Sequence, residues 1–110
     1  MNLVMNKNIG HSINLDLMKA SAKKASNLMK VLANEDRLLL LCQISLGEKS
    51  VGDLEGLLDI HQPTLSQQLT VLREEGLVNT RRDGKKILYT LASVEVMAVM
   101  QVLYEQFCGR

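Results

Sequence analysis

Residues 62–84, which read QPTLSQQLTVLREEGLVNTRRDG, contain the strongest structural signals in the chain. In the first half of this stretch, leucines follow one another at steps of four and three, at Leu65, Leu69 and Leu72, which predicts a helix with one buried apolar face. The chain contains a single proline, Pro63, in the first turn of that helix, where the missing N–H is tolerated. This part of the stretch therefore predicts a helix with a polar outer face.

The second half of the stretch predicts a β-hairpin. Gly76 ends the helix, and two segments of alternating character, residues 77–82 and 85–91, flank Asp83-Gly84, a strong signal for a tight turn. Four cations surround the turn, namely Arg81, Arg82, Lys85 and Lys86. Charged side chains at the tip of a hairpin often contact only solvent. Cations at this position could also reach the phosphates or the minor groove of DNA.

The segments on either side predict four more helices. A stripe of apolar residues predicts a first helix over residues 15–32, and residues suited to N-capping, Asn34, Ser50 and Ser93, begin the second, third and last helices. The sequence thus predicts a mainly α fold with a small β-hairpin, a winged helix-turn-helix of five helices and a two-stranded wing. It occupies residues 15–110, after a flexible leader over residues 1–14.

Composition sets the class of protein. The chain has 110 residues, of which 46% are apolar and 23% charged, which suits one globular domain with a hydrophobic core. The longest apolar runs have five residues, and we find no secretory signal, so neither a membrane partner nor export is expected and the predicted location is cytoplasmic. Two cysteines do not make a disulfide-rich scaffold.

Charge is divided unevenly along the chain. The net charge is +1, but it is +4 over residues 1–30, −5 over residues 31–76 and +3 over residues 77–90. Two basic blocks on either side of an acidic middle indicate local contact with an anionic polymer.

The polar side of the helix that starts at residue 62 carries groups able to read DNA. Gln pairs with adenine, while Ser and Thr reach base edges or phosphates. An ordinary solvated helix face would have a similar composition, but the turn, the helix and the basic hairpin together favour double-stranded DNA as the partner. With the four hairpin cations, the predicted contacts are Gln62, Thr64, Ser66, Gln67, Gln68 and Thr70.

Other classes of function find less support. No Ser/His/Asp set, paired carboxylates, Gly-rich phosphate loop or CxxC motif is present, so we do not expect an enzyme or a cofactor. An interaction module that does not bind DNA is the other alternative.

Three stretches together resemble the ArsR/SmtB family of bacterial winged-helix repressors: LANEDRLLLL at residues 32–41, SVGDL at residues 50–54 and QPTLSQQLTVLREEGLV at residues 62–78. The resemblance covers about residues 16–108. It implies a homodimer formed by the first and last helices and an operator that is an imperfect palindrome. The predicted dimer interface is Leu15, Met18, Ala22, Ala25, Met29, Val99 and Leu103.

The chain departs from the metal-sensing members of that family. Where those members have Cys-Val-Cys-Asp, this chain has Ser50-Val51-Gly52-Asp53, and Ser and Gly supply no soft ligand. The predicted last helix contains no His or Asp for the other familiar site. We therefore predict no metal site; a metal-responsive repressor remains the alternative function.

The two cysteines offer a different signal. Cys42 falls in the second helix and Cys108 at the end of the last helix, and these two elements pack together in the predicted fold. Taken alone, Cys42 can also be interpreted as an inert buried thiol. The pair resembles the thiol- and persulfide-responsive branch of the family. That resemblance implies a repressor that binds DNA when reduced, is released when Cys42 and Cys108 become linked, and controls sulfide-detoxification genes.

Overall fold

The computed structural model describes residues 14–109, so the predicted leader, apart from Asn14, lies outside the described residues. Eight elements follow in chain order: α1 (Leu15–Leu32), α2 (Glu35–Ser45), β1 (Lys49–Ser50), α3 (Val51–Leu58), α4 (Thr64–Glu74), β2 (Val78–Asp83), β3 (Lys86–Leu91) and α5 (Val94–Phe107). The five predicted helices are confirmed.

The chain divides into two compact units, one ending at Lys30 and one running from Val31. The described part of the first unit is Asn14 and most of α1, which Asn14 caps: its side-chain oxygen accepts the Leu17 N–H at 2.8 Å. The second unit holds the last two residues of α1, Val31 and Leu32, and all the other elements. Within residues 14–109, no helix has the length and apolar character needed to cross a membrane.

Side-chain caps begin the helices as the sequence predicts. Asn34 accepts the Arg37 N–H at 3.0 Å, and Ser93 accepts the Val96 N–H at 3.2 Å. Ser50 and Asp53 form a reciprocal capping box at the start of α3, with hydrogen bonds of 2.9 and 3.0 Å. Each cap satisfies N–H groups that have no partner inside the helix, which is why these boundaries can be read from local sequence.

The wing differs from the prediction in its strand count and its turn. The sheet has three antiparallel strands in the order β1-β3-β2, not two, because Lys49 and Ser50 pair with Tyr89 and Leu88. A strand of two residues is too short to show an alternation of apolar and polar residues, and its partner strand lies far along the chain, so the sequence does not predict it. Pairing of Asp83 with Lys86 also moves the turn by one residue, to Gly84 and Lys85. Gly84 has a φ of 65°, as a glycine at the first central position of a tight hairpin requires.

The core of the second unit is built from apolar side chains of four helices. The most deeply buried side chains are Leu40, Leu41, Leu54, Leu65, Leu72 and Met100. They come from α2, α3, α4 and α5, so these helices share one apolar interior. The core holds α4 against α2 and leaves the opposite side of α4 open to solvent.

Candidate nucleic-acid interface

The helix α4 presents one apolar and one polar face. Leu65, Leu69 and Leu72 are at most 2% exposed, as their spacing predicts, so they fix the rotation of the helix about its axis. The turn that joins α3 to α4 is anchored by Ile60, which is buried, while Asp59 ends α3 with a left-handed backbone, φ 55°. The two helices thus form a helix-turn-helix whose second member shows its polar side to solvent.

The predicted DNA contacts on α4 differ in exposure. Ser66, Gln67 and Thr70 are exposed, whereas Thr64 and Gln68 are half-buried. Gln62, which is also exposed, accepts the backbone N–H of Ser66 at 3.1 Å through its side-chain oxygen, so it caps α4. Because the first-turn N–H groups of a helix lack internal partners, this bond stabilises the start of α4.

Gln68 is held by a residue of another helix. Its side-chain oxygen accepts a hydrogen bond of 2.9 Å from Nη1 of Arg37, in the first turn of α2. The same guanidinium donates through Nε to the backbone oxygen of Val31 at 2.7 Å. Gln67, by contrast, makes no side-chain hydrogen bond with any residue in 14–109, so its amide is available in full.

The wing carries the second group of predicted contacts. Arg82, Lys85 and Lys86 are exposed at or next to its tip. Arg82 belongs to β2, Lys85 lies in the turn and Lys86 begins β3, so three cations surround one tight turn. This placement suits contact with a polyanion.

Arg81 is engaged within the protein. Its Nε and Nη2 donate to the two carboxylate oxygens of Glu48, at 2.7 and 2.8 Å. The hydrogen bonds from Arg81 lower the pKa of the Glu48 carboxyl and raise the pKa of the Arg81 guanidinium. The prediction grouped Arg81 with the three other cations, but the structure joins it to the residue that precedes β1.

His61, in the turn before α4, lies between two carboxylates. Its Nε2 is 2.6 Å from an oxygen of Asp59, and its Nδ1 is 3.3 Å from an oxygen of Glu55. Hydrogen bonds to Glu55 and then to Asp59 raise the pKa of the His61 imidazole. Protonation therefore strengthens the contacts of this turn with the end of α3.

The two cysteines lie on helices that pack against each other. Cys42, on α2, is half-buried, and Cys108, which follows α5, is exposed; both are free thiols. Burial raises the pKa of the Cys42 thiol, and the charge of Cys108 raises it further. The packing of α2 against α5 therefore places the two cysteines on neighbouring helices although they are 66 positions apart in the sequence.

The predicted dimer residues fall into two groups. Those on α1, namely Leu15, Met18, Ala22, Ala25 and Met29, are all exposed, and those on α5, Val99 and Leu103, are half-buried. The α5 helix exposes other large apolar side chains that the prediction omitted: Val94, Met97, Val102, Tyr104 and Phe107.

No three His, Cys, Asp or Glu side chains within residues 14–109 form a group that could hold a metal ion. Of the two histidines of the chain, His11 lies outside that range.

Arg37 and Glu48 are the residues near the site that sequence analysis missed. One signal was present for Arg37, since it is one of only three cations in the acidic segment over residues 31–76. Its partner Gln68 is 31 positions away, and Arg81 is 33 positions from Glu48, so no local pattern connects either pair.

The buried leucine stripe, the polar outer face of α4 and the cationic three-stranded wing define a winged helix-turn-helix regulator that binds DNA. Residues 34–80 match the family described as bacterial regulatory protein, arsR family. The chain is 50% identical, over 88% of its own length and 83% of the relative's, to the biofilm growth-associated repressor of Agrobacterium fabrum. The chain therefore belongs to the arsR family, and the resemblance noted from its sequence is confirmed.

Solved structures agree with this assignment. Reduced HlyU from Vibrio cholerae superposes with a TM-score of 0.82 at 44% identity, covering 86% of this chain and 99% of that one. A homodimeric winged helix-turn-helix domain from Mycobacterium bovis gives a TM-score of 0.71 at 25% identity, covering 90% of this chain and 95% of that one. The chain is thus a transcriptional regulator of the type to which biofilm growth-associated repressors and HlyU belong.

Proposed function

We propose that the protein is a homodimeric transcriptional repressor, which binds an operator while both thiols are reduced and releases it when Cys42 and Cys108 become linked. The observation that carries the proposal is the placement of the two thiols. Cys42 lies within α2, Cys108 follows α5, the two helices pack together, and the charge of one thiol acts on the other. A bond between them would tie α2 to the end of α5.

The chemistry begins at the accessible thiol. Cys108 is exposed and Cys42 half-buried with a raised pKa, so Cys108 reacts first. Its thiolate attacks the outer sulfur of a low-molecular-weight persulfide, which gives a Cys108 persulfide and expels the donor's thiolate. The Cys42 thiolate then attacks the inner sulfur, the S–S bond between Cys42 and Cys108 forms, and HS⁻ leaves. Both protein thiols are oxidised, and the persulfide is reduced to a thiol and hydrogen sulfide.

Two-fold symmetry would convert this local bond into loss of DNA binding. Exposed apolar side chains on α1 and α5 supply the surface for a second copy, and the Mycobacterium bovis neighbour is described as homodimeric. In a dimer built on α5, a bridge from α2 to α5 changes the relative placement of the two α4 helices. Those helices must match half-sites about one DNA turn apart, so the imperfect palindrome no longer fits.

The DNA contacts we assign are the polar side chains on the solvent side of α4 and the cations at the tip of the wing. On α4 these are Ser66, Gln67 and Thr70 at the exposed face, with Gln62, Thr64 and Gln68 at its flanks; on the wing they are Arg82, Lys85 and Lys86. Because its guanidinium is engaged by Glu48, we assign Arg81 to holding the wing in place. The regulated genes are those for removing sulfide, as the similarity to the persulfide-responsive branch implies.

Cysteine variants test the switch. The DNA probe is a duplex that the reduced wild-type protein enriches from a randomised library. Intact mass spectrometry identifies the product that forms when the protein is treated with persulfide. The bridged wild type should bind this duplex about 5- to 150-fold more weakly than the reduced protein. Cys42→Ser and Cys108→Ser should each bind DNA like the reduced wild type and lose the response. Since the chain has two cysteines, the double variant contains no thiol and measures any direct effect of persulfide.

Two results would contradict the switch. If either single variant still released DNA after persulfide treatment, one modified thiol would be sufficient. If both reduced variants failed to bind DNA, the cysteines would be structural.

The dimer is tested separately by sedimentation of reduced protein. Met18→Glu on α1 and Met97→Glu on α5 place a charge on the proposed interface and should give monomers. Leu57→Glu is the matched control, because Leu57 is an exposed apolar residue of α3, which is not part of the proposed interface, and this variant should remain dimeric. Dimers in all three variants would place the interface elsewhere.

A further inference from the structure

One side-chain pair beside α4 restricts what that helix can recognise. Nη1 of Arg37 lies 2.9 Å from the side-chain oxygen of Gln68, and both side chains are half-buried. A guanidinium has five N–H donors and no acceptor, so the Gln68 atom that faces it is the oxygen. Because only that assignment satisfies both groups, the amide orientation follows from chemistry alone.

Arg37 is held both through its backbone and through its guanidinium. The backbone N–H of Arg37 is bound by the capping oxygen of Asn34 at 3.0 Å, which sets the first turn of α2. Its Nε donates at 2.7 Å to the backbone oxygen of Val31, in the last turn of α1. Carbonyls of a last turn lack partners within the helix and carry its partial negative charge, so a cation is favoured there. Arg37 is therefore a rigid partner for Gln68.

This orientation turns the NH₂ group of Gln68 away from Arg37, so a hydrogen-bond donor is what Gln68 presents to a ligand. Recognition of adenine by glutamine needs the side-chain oxygen to accept from N6 while the NH₂ group donates to N7. In Gln68 one of the two lone pairs of the oxygen already accepts from Arg37, which fixes the amide plane, so the NH₂ group is the part of the side chain that is wholly available to DNA. Gln68 also lies half-buried at the flank of α4, whereas Gln67 lies on the exposed face with both amide atoms available. A donor at the flank matches the phosphate oxygens that border the major groove.

We infer that Arg37 is a positioning residue that fixes Gln68 as a donor to a DNA phosphate, and that Gln67, not Gln68, reads base identity. This inference rests on the proposed DNA-bound state of the reduced protein. It assigns the two adjacent glutamines different tasks: one sets the register of α4 on the DNA backbone and the other carries sequence preference.

A first measurement addresses the orientation without DNA. The side-chain NH₂ resonances of Gln68, assigned by their loss in Gln68→Met, should shift in Arg37→Met protein, while those of Gln67 should not. Unchanged Gln68 resonances would overturn the positioning role. Thermal unfolding of Arg37→Met establishes whether the variant is folded, and Arg37→Lys, which keeps a donor for the Val31 oxygen, replaces it if the first variant does not fold.

A double-mutant cycle then addresses DNA binding. Reduced proteins are titrated against two probes, the duplex enriched by wild type and a scrambled duplex of equal length. Gln68→Met should lower affinity about tenfold for both probes, because a phosphate contact is independent of sequence. Arg37→Met should lower it by a similar factor, and the double variant no further than the weaker-binding single one. Losses that multiply to about a hundredfold would show that Arg37 does not act through Gln68.

Two variants sharpen the distinction. Gln68→Glu keeps an oxygen facing Arg37 but replaces the donor with a carboxylate oxygen, so it should bind both probes more weakly than Gln68→Met. Gln67→Met is the matched control, and its loss should be confined to the enriched duplex. If the loss in Gln68→Met were confined to that duplex instead, Gln68 would read a base and the inference would be wrong.

Failure of the proposed function gives a different result. A wild-type protein that enriches no duplex would overturn DNA binding and, with it, the phosphate contact. A wild-type protein that binds, with no coupling between Arg37 and Gln68, would overturn only the inference.

Discussion

Arg81 on β2 and Glu48, just before β1, form a two-pronged ion pair, with donor–acceptor distances of 2.7 and 2.8 Å. The pair joins the segment after α2 to the second strand of the wing, across 33 residues of sequence. Arg82, which follows Arg81 in β2, is exposed and makes no hydrogen bond or ion pair with any residue in 14–109. Two adjacent arginines in one strand therefore have different roles.

The salt dependence of DNA binding distinguishes these two arginines. Each phosphate contact contributes about one unit to the slope of log affinity against log salt. Arg82→Met should flatten the slope by about one unit per protomer, and Arg82→Met with Lys85→Met by about two, equally for enriched and random duplexes. Arg81→Met should leave the slope nearly unchanged. An unchanged slope in the Arg82/Lys85 double variant would show that the wing does not touch the DNA backbone.

Gln67 should carry sequence preference. Replacing it with Ala should weaken binding to the enriched duplex by about 1–3 kcal/mol and relax the preference at one base pair of each half-site, as for loss of a base-edge contact. Competition among duplexes that vary at single positions measures both effects. An equal loss on random DNA would instead make Gln67 a phosphate contact.

The rate of bridge formation should depend on pH through Cys42. Its thiol has a pKa above the ordinary 9.0, because of burial and then the charge of Cys108. Only the thiolate attacks, so the second step should speed up about tenfold per pH unit between about pH 7 and 9. Quenched alkylation followed by intact mass gives the rate, and Cys108 modification in Cys42→Ser protein supplies the pH dependence of the first step. A second step that is already independent of pH above 7 would show that Cys42 is a preformed thiolate.

The stability of the turn before α4 should depend on pH through His61. Its pKa lies above the ordinary 6.5 in the folded protein, because of Glu55 and then Asp59. A raised folded pKa adds stability that is complete below about pH 6.5 and is lost as the pH rises through the folded value. The melting temperature of wild type should therefore exceed that of His61→Asn by more at pH 5.5 than at pH 8.5. The same difference at both pH values would mean that the carboxylates do not act on the ring.

Interactions within a few residues could be predicted from the sequence, because each depends on local backbone geometry. The caps at Asn34, Ser50 and Ser93 and the leucine stripe of α4 follow from spacings of three or four residues. The cationic hairpin is also a local signal, although its turn lies one residue further along than expected. These patterns were sufficient for the winged helix-turn-helix class and for the polar face of α4 that we propose contacts DNA.

Tertiary structure decided which of the candidate side chains are free to act. Strand β1, the Arg81–Glu48 pair and the Arg37–Gln68 pair each join segments more than 30 residues apart. A guanidinium on an exposed strand has the same sequence signature whether it meets a carboxylate or solvent, since its partner depends on how distant segments pack. Local sequence was therefore sufficient to predict the scaffold and the set of candidate DNA contacts. Packing determined that Arg81 and the Gln68 oxygen are already engaged, while Gln67 and Arg82 have no such partner within residues 14–109.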